Sequence, residues 1–563
     1  MSVRPSEHPP PWAPSEAIGA PTDPVDERIE VGFLIVGAGP AGLAAAIRLG
    51  QLLEEHPDEA ERLGEVPVAV LEKGKAPGSH LFSGAVVNPR GLRRLFNGRK
   101  QIEDMPFYGE VHGESVLFMT KRRALRIPTP PTMVNHRNYV ASLSQLGRWL
   151  AEEAESLGAT ILPETSAEKL LVDGGRVIGV RTGDRGRGRA GEELGNFEPG
   201  SDVTARVTIL SEGTQGHLTG AALDHFRLRS EPQVWALGVK EVWKVAKPLH
   251  EVVHTMGWPL RAGRRYREFG GSFVYPMGDD MVTIGMVVGL DYRDAELSAH
   301  DLLQELKTHP RMRKILEGGE RVQWGAKTIP EGGFVALPKR FHAPGLLLTG
   351  DGVGLVNVPA LKGIHYAIES GRLAAEAAWR TLERGASART ALATYDESLR
   401  ESFIWGDLRE VRNMRQAFGR GFYLGGAMAG AMTATKGKFP PGNAHTELDA
   451  EHSLISTDRA KSYPTPDGKL TFDKLSSVFA SGNRTRDDQP NHIRVQTKVP
   501  RELAQLWEHM CPAQVYEVGD PDGDGTVEVK LAPSNCVQCG AITAKGGRLT
   551  PPEGGSGPEY TLT

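Results

Sequence analysis

The sequence predicts an α/β protein in which a Rossmann-type nucleotide-binding domain is interrupted by an antiparallel β-sheet and followed by a small cysteine-bearing module. Three observations support this fold class. A strand–glycine–helix pattern begins near Phe33, a β-rich stretch runs from Val234 to Leu290, and all three cysteines lie after residue 510. The chain has 563 residues, and at about 150 residues per domain this length corresponds to three or four folding units.

The composition is that of a folded globular protein and argues against several other classes. Hydrophobic residues make up 39% of the chain and charged residues 24%, which is enough apolar material for a large core. The 66 basic and 70 acidic residues give a net charge of −4, so nothing favours a nucleic-acid partner. Three cysteines exclude a disulfide scaffold. No uncharged apolar run reaches the roughly 18 residues that span a bilayer.

The first 30 residues are expected to form a disordered tail. Residues 1–24 contain seven prolines and the acidic residues Glu7, Glu16 and Asp23, without an apolar segment. This composition differs from that of a secretory signal and from that of an Arg-rich transit peptide.

The rest of the chain divides into three predicted parts. Residues 31–230 and 330–435 are assigned to the nucleotide-binding domain, and residues 231–329 to the inserted β-sheet. Residues 436–563 form a C-terminal region, in which residues 511–563 make up the cysteine module.

Within the nucleotide-binding domain, hydrophobic periodicity predicts the individual elements. A helix is expected over Tyr139–Leu157, because Leu143, Leu146 and Leu150 recur at helical spacing. Short apolar runs predict strands at Phe33–Val36, Val66–Leu71, Thr160–Leu162, Lys169–Val172, Val177–Arg181, Val207–Leu210 and Gly345–Thr349.

The motif GAGPAG follows the first buried strand and opens an Ala-rich helix. Gly37 allows the tight turn, Gly39 lets the backbone approach a pyrophosphate, and Gly42 permits close packing of helix on strand. The helix N-terminus offers free N–H donors and a positive dipole to phosphates. Glu72, at the end of the next strand, is placed to accept hydrogen bonds from ribose hydroxyls. The alternative is a glycine-rich turn without a ligand.

Two further motifs favour FAD over NAD. The segment LLLTGD, which ends in Gly350 and Asp351, resembles the second flavin motif of the glutathione-reductase-like FAD families, in which the Asp meets the ribityl chain. The alternative is that Asp351 caps a turn. The segment LSEGTQG at Leu210 to Gly216 resembles a strand-end motif of FAD-dependent hydroxylases and reductases. No second GxGxxG marks a separate NAD(P)H domain.

The cysteines are predicted to bind an iron–sulfur cluster. Cys536 and Cys539 form a CxxC pair, and Cys511 is followed by proline, as Cys ligands in ferredoxins often are. A zinc site would need a fourth ligand, which no neighbouring Cys or His supplies. Three structural cysteines are the remaining alternative.

Taken together, these motifs and the segments around them resemble the electron transfer flavoprotein–ubiquinone oxidoreductase family from about Val31 to Tyr560. The matching segments include VGAGPAGLAAAIRL, HTMGWPL, FGGSFVYPM, NVPALKGIHYAIESG, SYPTPDGKLTFDKLSSVFASG and CPAQVYEV. The resemblance implies a monotopic membrane protein in which FAD and a 4Fe–4S cluster pass electrons from reduced electron transfer flavoprotein to ubiquinone or menaquinone.

The resemblance also implies the roles of individual residues. It assigns two glycines of the FGGSF segment, Gly270 and Gly271, to the quinone head-group. The FAD site that it implies consists of Gly37, Gly39, Gly42, Glu72, Ser83, Gly84, Gly350 and Asp351.

At the cluster, the chain departs from the family, whose loop reads Cys-x-x-Cys-x-x-Cys. The last position here is Ile542, with Thr543 beside it. Three outcomes are open: a 3Fe–4S cluster on Cys511, Cys536 and Cys539, a 4Fe–4S cluster with one iron held by water or another group, or loss of the cluster.

A second departure concerns the membrane. The segment Gly421–Lys436 consists mostly of Gly, Ala and Met, where the family is aromatic-rich. A weak attachment is therefore expected, and a small-residue helix packed on the protein is the alternative. Without a transit peptide, the expected location is the cytoplasmic face of a bacterial inner membrane.

Two other functions fit the flavin motifs. One is a FAD-dependent reductase or hydroxylase of the geranylgeranyl-reductase type, which leaves the cysteine module unexplained. The other is an electron-carrying subunit of a larger flavoprotein complex. No catalytic acid or base is predicted, since electron transfer requires none.

Overall fold

A computed structural model of the chain describes residues 3–383, 387–455, 461–523 and 525–563. Its strands are β1 (Ile18–Gly19), β2 (Ile29–Val36), β3 (Val68–Leu71), β4 (Val86–Val87), β5 (Phe107–Glu110), β6 (Glu114–Met119), β7 (Ala124–Ile127), β8 (Tyr139–Ala141), β9 (Thr160–Leu162), β10 (Ala167–Asp173), β11 (Arg176–Thr182), β12 (Arg185–Arg187), β13 (Glu193–Glu198), β14 (Asp202–Leu210), β15 (Trp235–Lys244), β16 (Val252–Gly257), β17 (Gly270–Pro276), β18 (Met281–Gly289), β19 (Glu320–Pro330), β20 (His342–Ala343), β21 (Leu346–Leu348), β22 (Ile493–Arg494), β23 (Lys498–Pro500), β24 (Tyr516–Pro521), β25 (Thr526–Leu531) and β26 (Arg548–Leu549).

The α-helices are α1 (Pro40–Glu55), α2 (Pro57–Arg62), α3 (Arg90–Phe96), α4 (Leu143–Ser156), α5 (His217–His225), α6 (Ala299–Lys307), α7 (Pro310–Leu316), α8 (Ile364–Trp379), α9 (Ala388–Glu401), α10 (Phe403–Glu410), α11 (Met414–Ala417), α12 (Phe422–Ala434), α13 (Lys474–Ala480) and α14 (Arg501–Met510). Helix α4 is shorter than predicted, because Ser142 caps it by accepting a hydrogen bond from the backbone N–H of Gln145. The preceding residues form β8 instead.

A nine-stranded sheet confirms the predicted α/β class. Its order is β1-β10-β11-β14-β2-β3-β9, with β21 also on β14 and β20 on β21. Strands β14, β2, β3, β9 and β21 run parallel, so the segments after β2, β3, β14 and β21 meet at one edge. Helix α1 packs against α8 and α4 beside this sheet.

The second sheet is larger than the predicted insert. Its seven strands lie in the order β19-β15-β18-β17-β16-β6-β7, and β15 to β19 come from the predicted range. Strands β6 and β7, at residues 114–127, were assigned to the nucleotide-binding domain by the prediction. They join because β6 pairs in parallel with β16 over six residues, from Glu114 to Met119.

The C-terminal region combines α14 with a small sheet in the order β23-β25-β24. Cys511 follows directly after α14, and Cys536 and Cys539 follow β25. This arrangement brings the three cysteines to one pocket, although Cys511 and Cys536 are 25 positions apart in the sequence.

The prediction of a disordered tail is wrong for residues 3–30; residues 1 and 2 lie outside the described residues. Strand β1 pairs in parallel with β10, and Asp23 forms an ion pair with Arg181 at 2.9 Å. The guanidinium of Arg548 lies 3.5 Å from the centre of the Trp12 ring. These contacts offset the cost of ordering a proline-rich segment.

Candidate functional site

The glycine turn after β2 leaves no room for a side chain at Gly37 or Gly42. Gly37 has a φ of +104°, and a Cβ at Gly42 would lie 2.0 Å from the carbonyl oxygen of Gly37. Gly39 is the N-cap of α1, and a Cβ there would lie 3.7 Å from the nearest atom, which belongs to Leu81. The bare turn thus exposes the N-terminus of α1 to the cavity in front of it.

Glu72 stands at the end of β3, beside this turn. Its carboxylate accepts hydrogen bonds from the backbone N–H groups of Ala38 at 3.0 Å and of Gly74 at 2.7 Å. Each carboxylate oxygen accepts one of these bonds and has a second lone pair, and Glu72 lines the cavity, so it is fixed in place and can still accept from a hydroxyl.

The other predicted flavin residues line the same cavity. Gly350 opens a short turn after β21, with a φ of +63°, and Asp351 follows. Among the described residues, none donates a hydrogen bond to the Asp351 carboxylate, and burial raises the pKa of this carboxyl to about 6. Ser83 and Gly84 also line this cavity, and the ammonium of Lys240 donates to the Ser83 carbonyl.

One cavity of about 990 Å³ connects these groups with both sheets and with α12. The Gly turn, Glu72 and Asp351 fit FAD, because a backbone cradle for phosphates and two carboxylates that can accept from hydroxyls line one space. The N-terminus of α8 also borders it, through Gly363 and Ile364.

Gly270 and Gly271 lie at the start of β17, on the wall of the cavity. A Cβ at Gly270 would lie 2.0 Å from the carbonyl oxygen of Val287, and one at Gly271 would lie 2.4 Å from that of Thr255. Strand pairing therefore requires glycine at both positions whether or not a ligand binds.

Polar side chains on this part of the cavity wall are paired with each other. The hydroxyls of Thr255 and Ser272 are hydrogen-bonded, and His254 Nε2 lies 2.7 Å from the Tyr275 hydroxyl. Burial lowers the pKa of His254 to about 3, so its imidazole is neutral at neutral pH.

The three predicted metal ligands line one small pocket. Backbone N–H groups of Ala513, Gln514 and Val515 point at the Cys511 sulfur, and that of Gln538 lies 3.4 Å from the Cys536 sulfur. Ala541 donates in the same way to Cys539. Such oriented N–H groups stabilise the charged sulfurs of an iron–sulfur cluster, so the pocket fits this kind of cofactor.

The arrangement of the thiols is not that of a single-ion site. Among the described residues, no group of three His, Cys, Asp or Glu side chains is placed to hold one metal ion. Burial raises the pKa of the Cys539 thiol to about 12 and also raises the pKa of Cys511 and Cys536. The thiols are therefore protonated until a metal displaces their protons.

The loop between the paired cysteines also forms part of the large cavity wall, a contact that sequence reasoning missed. Gln538 lies between Cys536 and Cys539 and borders the cavity. Lys73 donates to the Gln538 side-chain oxygen at 2.7 Å, and Lys327 donates to its carbonyl at 3.0 Å. The sequence signal for this contact is that Lys73 directly follows Glu72, the carboxylate of the nucleotide site.

At its other end the cavity is bordered by α12. Small residues of this helix, Gly426 and Gly430, face the cavity, while Tyr423 and Leu424 are 72% and 55% exposed. Leu125 on β7 is 55% exposed. In the part of the chain that the structure describes, no helix is long and apolar enough to cross a bilayer.

Two family models match this chain. The model described as ETF-QO, ubiquinone-binding, matches residues 235–329, and the model described as electron transfer flavoprotein-ubiquinone oxidoreductase, 4Fe-4S, matches residues 468–561. The first covers the strands that carry Gly270 and Gly271, and the second contains all three cysteines.

Curated relatives are similar over nearly the whole chain. The mitochondrial electron transfer flavoprotein-ubiquinone oxidoreductase of Arabidopsis thaliana is 40% identical, over 96% of this chain and 86% of that protein. The electron transfer flavoprotein-ubiquinone oxidoreductase of Pseudomonas aeruginosa is 37% identical, over 95% of this chain and 99% of that protein.

Among solved structures, a geranylgeranyl bacteriochlorophyll reductase-like protein of Thermoplasma acidophilum is similar, with a TM-score of 0.54 and 17% identity. The likeness covers 73% of this chain and 92% of that one. At this identity it shows a shared fold and nothing about the reaction.

Proposed function

The chain belongs to the electron transfer flavoprotein–ubiquinone oxidoreductase family, and on that premise we propose that it passes electrons from reduced electron transfer flavoprotein, through an iron–sulfur cluster and FAD, to ubiquinone. The feature that supports this most is the single cavity of about 990 Å³. It is bordered by the glycine turn at one place, by the loop between two cysteines at another, and by an exposed apolar helix at its end.

FAD is held by the residues around the glycine turn. Gly37, Gly39 and Gly42 shape the turn that lets the N-terminus of α1 meet the diphosphate, and Glu72 accepts from a ribose hydroxyl. Asp351 accepts from a ribityl hydroxyl, while Ser83, Gly84 and Gly350 border the ring system. When bound, FAD supplies the chemistry that links one-electron carriers to the two-electron reduction of a quinone.

The cysteine module holds the cluster through Cys511, Cys536 and Cys539. Gln538 lies in the loop between two cysteines and on the wall of the flavin cavity, and Gly540 of the same loop lines both the cavity and the cysteine pocket. This loop would therefore lie between the cluster and FAD, where a short distance would favour electron transfer.

The quinone enters the far end of the cavity, next to Gly270 and Gly271. Their missing side chains leave a flat backbone surface against which a planar ring fits. The neutral His254 and the Tyr275 hydroxyl form a hydrogen-bonded pair on the same wall, so a proton can be held between Nε2 and the hydroxyl oxygen beside the ring.

The exposed part of α12 attaches the protein to a membrane surface. Tyr423, Leu424 and Leu125 present apolar side chains, and Arg420 and Lys436 lie at the two ends of the helix. A monotopic position of this kind places the cavity mouth at the lipid, from which a quinone can enter. For a bacterial chain, the surface is the cytoplasmic face of the inner membrane.

The quinone path is tested by blocking the cavity rather than by altering the strand glycines. A Cβ at Gly430 meets no described atom within 4 Å and Gly430 lines the cavity, so Gly430→Phe should place a ring in the cavity mouth. Turnover with reduced electron transfer flavoprotein and a soluble quinone should fall, while flavin content stays unchanged. The matched control is Ala431→Phe, at an exposed position of the same helix that does not border the cavity. Equal turnover in the two variants would contradict the proposed path.

Membrane attachment is tested by flotation with vesicles that contain anionic lipid. The double variant Tyr423→Asp, Leu424→Asp should lose most vesicle binding, because each buried apolar side chain contributes about 1.5–3 kcal/mol. Phe479→Asp is the control, since Phe479 is 88% exposed on α13. Wild-type protein that stays entirely in the soluble fraction would argue against the attachment.

A further inference from the structure

The fourth position of the cluster-binding loop is occupied by a hydrocarbon side chain. Ile542 follows Cys539 by three residues, as Cys539 follows Cys536. It lies in the 3₁₀ turn Ala541–Ala544, is 4% exposed, and lines the same pocket as the three thiols. Its side chain therefore faces the place that a fourth thiolate would take.

The neighbouring hydroxyl does not replace the missing ligand. Thr543 is absent from the pocket wall, and its hydroxyl oxygen accepts a hydrogen bond from the backbone N–H of Leu549 at 3.4 Å. Its own N–H donates to the carbonyl of Gly540. Thr543 thus points away from the thiols.

A water ligand is equally disfavoured by the wall of the pocket. Besides the cysteines and Ile542, the residues that line it are Met510, Ala513, Val515, Tyr516, Val537, Gly540, Ala541 and Leu549. Tyr516 alone among these brings a polar oxygen or nitrogen on its side chain. A buried water needs about two to four polar partners, and the backbone N–H groups around this pocket already point at the cysteine sulfurs.

The surroundings of Ile542 also match its shape. A Cβ at Gly547 would lie 2.5 Å from Cγ1 of Ile542 and 2.8 Å from Cγ1 of Val495. The branched side chain fits because residue 547 has none of its own. The fourth corner is therefore filled by close apolar packing rather than left open to solvent.

We propose that this chain carries a 3Fe–4S cluster, in which Cys511, Cys536 and Cys539 each bind one iron and the corner that faces Ile542 holds no metal. A fourth iron would have its three sulfides but no fourth ligand, because the residue that faces this corner is Ile542. The inference rests on the proposed iron–sulfur site and is independent of the electron donor and the quinone.

The test measures composition and magnetism of the full-length protein purified without oxygen. About three irons and about four acid-labile sulfides should be present per FAD. The oxidised protein should give the low-temperature EPR signal of an odd-electron cluster, whereas an oxidised 4Fe–4S cluster is diamagnetic and gives a signal only after reduction. Incubation with ferrous iron and a thiol reductant should leave the oxidised signal unchanged.

Substitution of residue 542 sharpens the test. Ile542→Cys should raise the ratio to about four irons for four sulfides, abolish the oxidised signal and create one on reduction. Ile542→Val, which keeps an apolar branched side chain, should retain the wild-type ratio and signal. Tyr516→Phe and Met510→Leu should also retain both, because neither side chain is proposed as a ligand.

Four irons per cluster in the wild type, or a changed signal in Tyr516→Phe or Met510→Leu, would overturn the inference while leaving the proposed function standing. Protein with FAD but no iron or sulfide would overturn both the inference and the cluster step of the proposed function. Loss of quinone turnover with an intact three-iron signal would affect only the proposed function.

Discussion

The nucleotide cradle around Gly37 and the cysteine module bind their cofactors by different means. The cradle uses backbone groups and the absence of side chains, and a Cβ at Gly42 would meet a carbonyl oxygen at 2.0 Å. The module uses side-chain sulfurs, and Ile542 replaces one of them within an ordered turn. A site built from backbone is protected by the requirement to fold, whereas a site built from side chains can lose a ligand and keep its fold.

The largest effect is expected from a side chain inside the cradle. Gly42→Val should abolish FAD binding and destabilise the fold, because overpacking of this kind costs about 1–3 kcal/mol and sometimes more. Flavin absorbance per protein and thermal unfolding measure the two effects. Gly39→Ala is the matched control, with 3.7 Å of clearance, and should unfold like wild type while binding FAD more weakly. Normal flavin content in Gly42→Val would refute the contrast between the two regions.

Removal of a thiol should remove a cofactor without destabilising the fold. Cys536→Ala should lose iron and sulfide but keep FAD and an unchanged unfolding temperature within a few degrees, because the loop is held by Lys73 and Lys327 as well. Turnover from electron transfer flavoprotein to quinone should drop by at least roughly 10- to 100-fold. Removing only a hydrogen-bond partner of a metal ligand already causes a loss of that size. If this variant does not fold, the module depends on its metal and the contrast fails.

Asp351 allows a test within the cradle. Burial raises its pKa to about 6, so between about pH 4 and pH 6 the folded state binds more protons than the unfolded state, and the free energy of unfolding decreases as pH rises. In flavin-free protein, Asp351→Asn should therefore be more stable than wild type at pH 7.5, by at most about 3 kcal/mol, and should have no advantage near pH 4. Urea unfolding at the two pH values measures this, and weaker FAD binding should accompany it. Equal stability at both pH values would argue against a buried, unpaired carboxyl.

The smallest effect concerns the charge between the two regions. Lys327→Met removes a cation that donates to Gln538 and lies close to Cys539, so the reduction potential of the cluster should fall. A loss of about 1 kcal/mol corresponds to roughly 40 mV for a one-electron couple. Redox titration followed by EPR measures the shift. Lys314→Met, at an exposed position on α7, should leave the potential unchanged.

The cradle could be predicted from sequence because glycine spacing records backbone geometry directly. Gly37 and Asp351 line the cavity, Gly42 packs against Gly37, and the parallel strands that precede these residues follow from buried apolar runs. The cysteines were found for the opposite reason, since they are rare enough to stand out in a chain of 563 residues.

What the sequence could not show is contact between distant segments. Lys327 and Gln538 are 211 residues apart, and although Gln538 lies inside the CxxC motif, that motif gives no indication of Lys327. The parallel pairing of β6 with β16 and the docking of residues 3–30 have the same origin, since each depends on a partner far along the chain. Proline content alone indicated disorder in the tail, whereas specific ion pairs and ring contacts determine its order.

Because Lys73 and Lys327 hydrogen-bond to Gln538, we expect the binding of FAD and the binding of the cluster to be thermodynamically linked. A cluster that orders this loop also orders part of the flavin wall, so it strengthens FAD binding by some factor. Reciprocity then requires that bound FAD strengthen the binding of the cluster by the same factor. Protein depleted of flavin should therefore release iron to a chelator more readily, and a variant without the cluster, although it still binds FAD, should bind it less tightly than wild type.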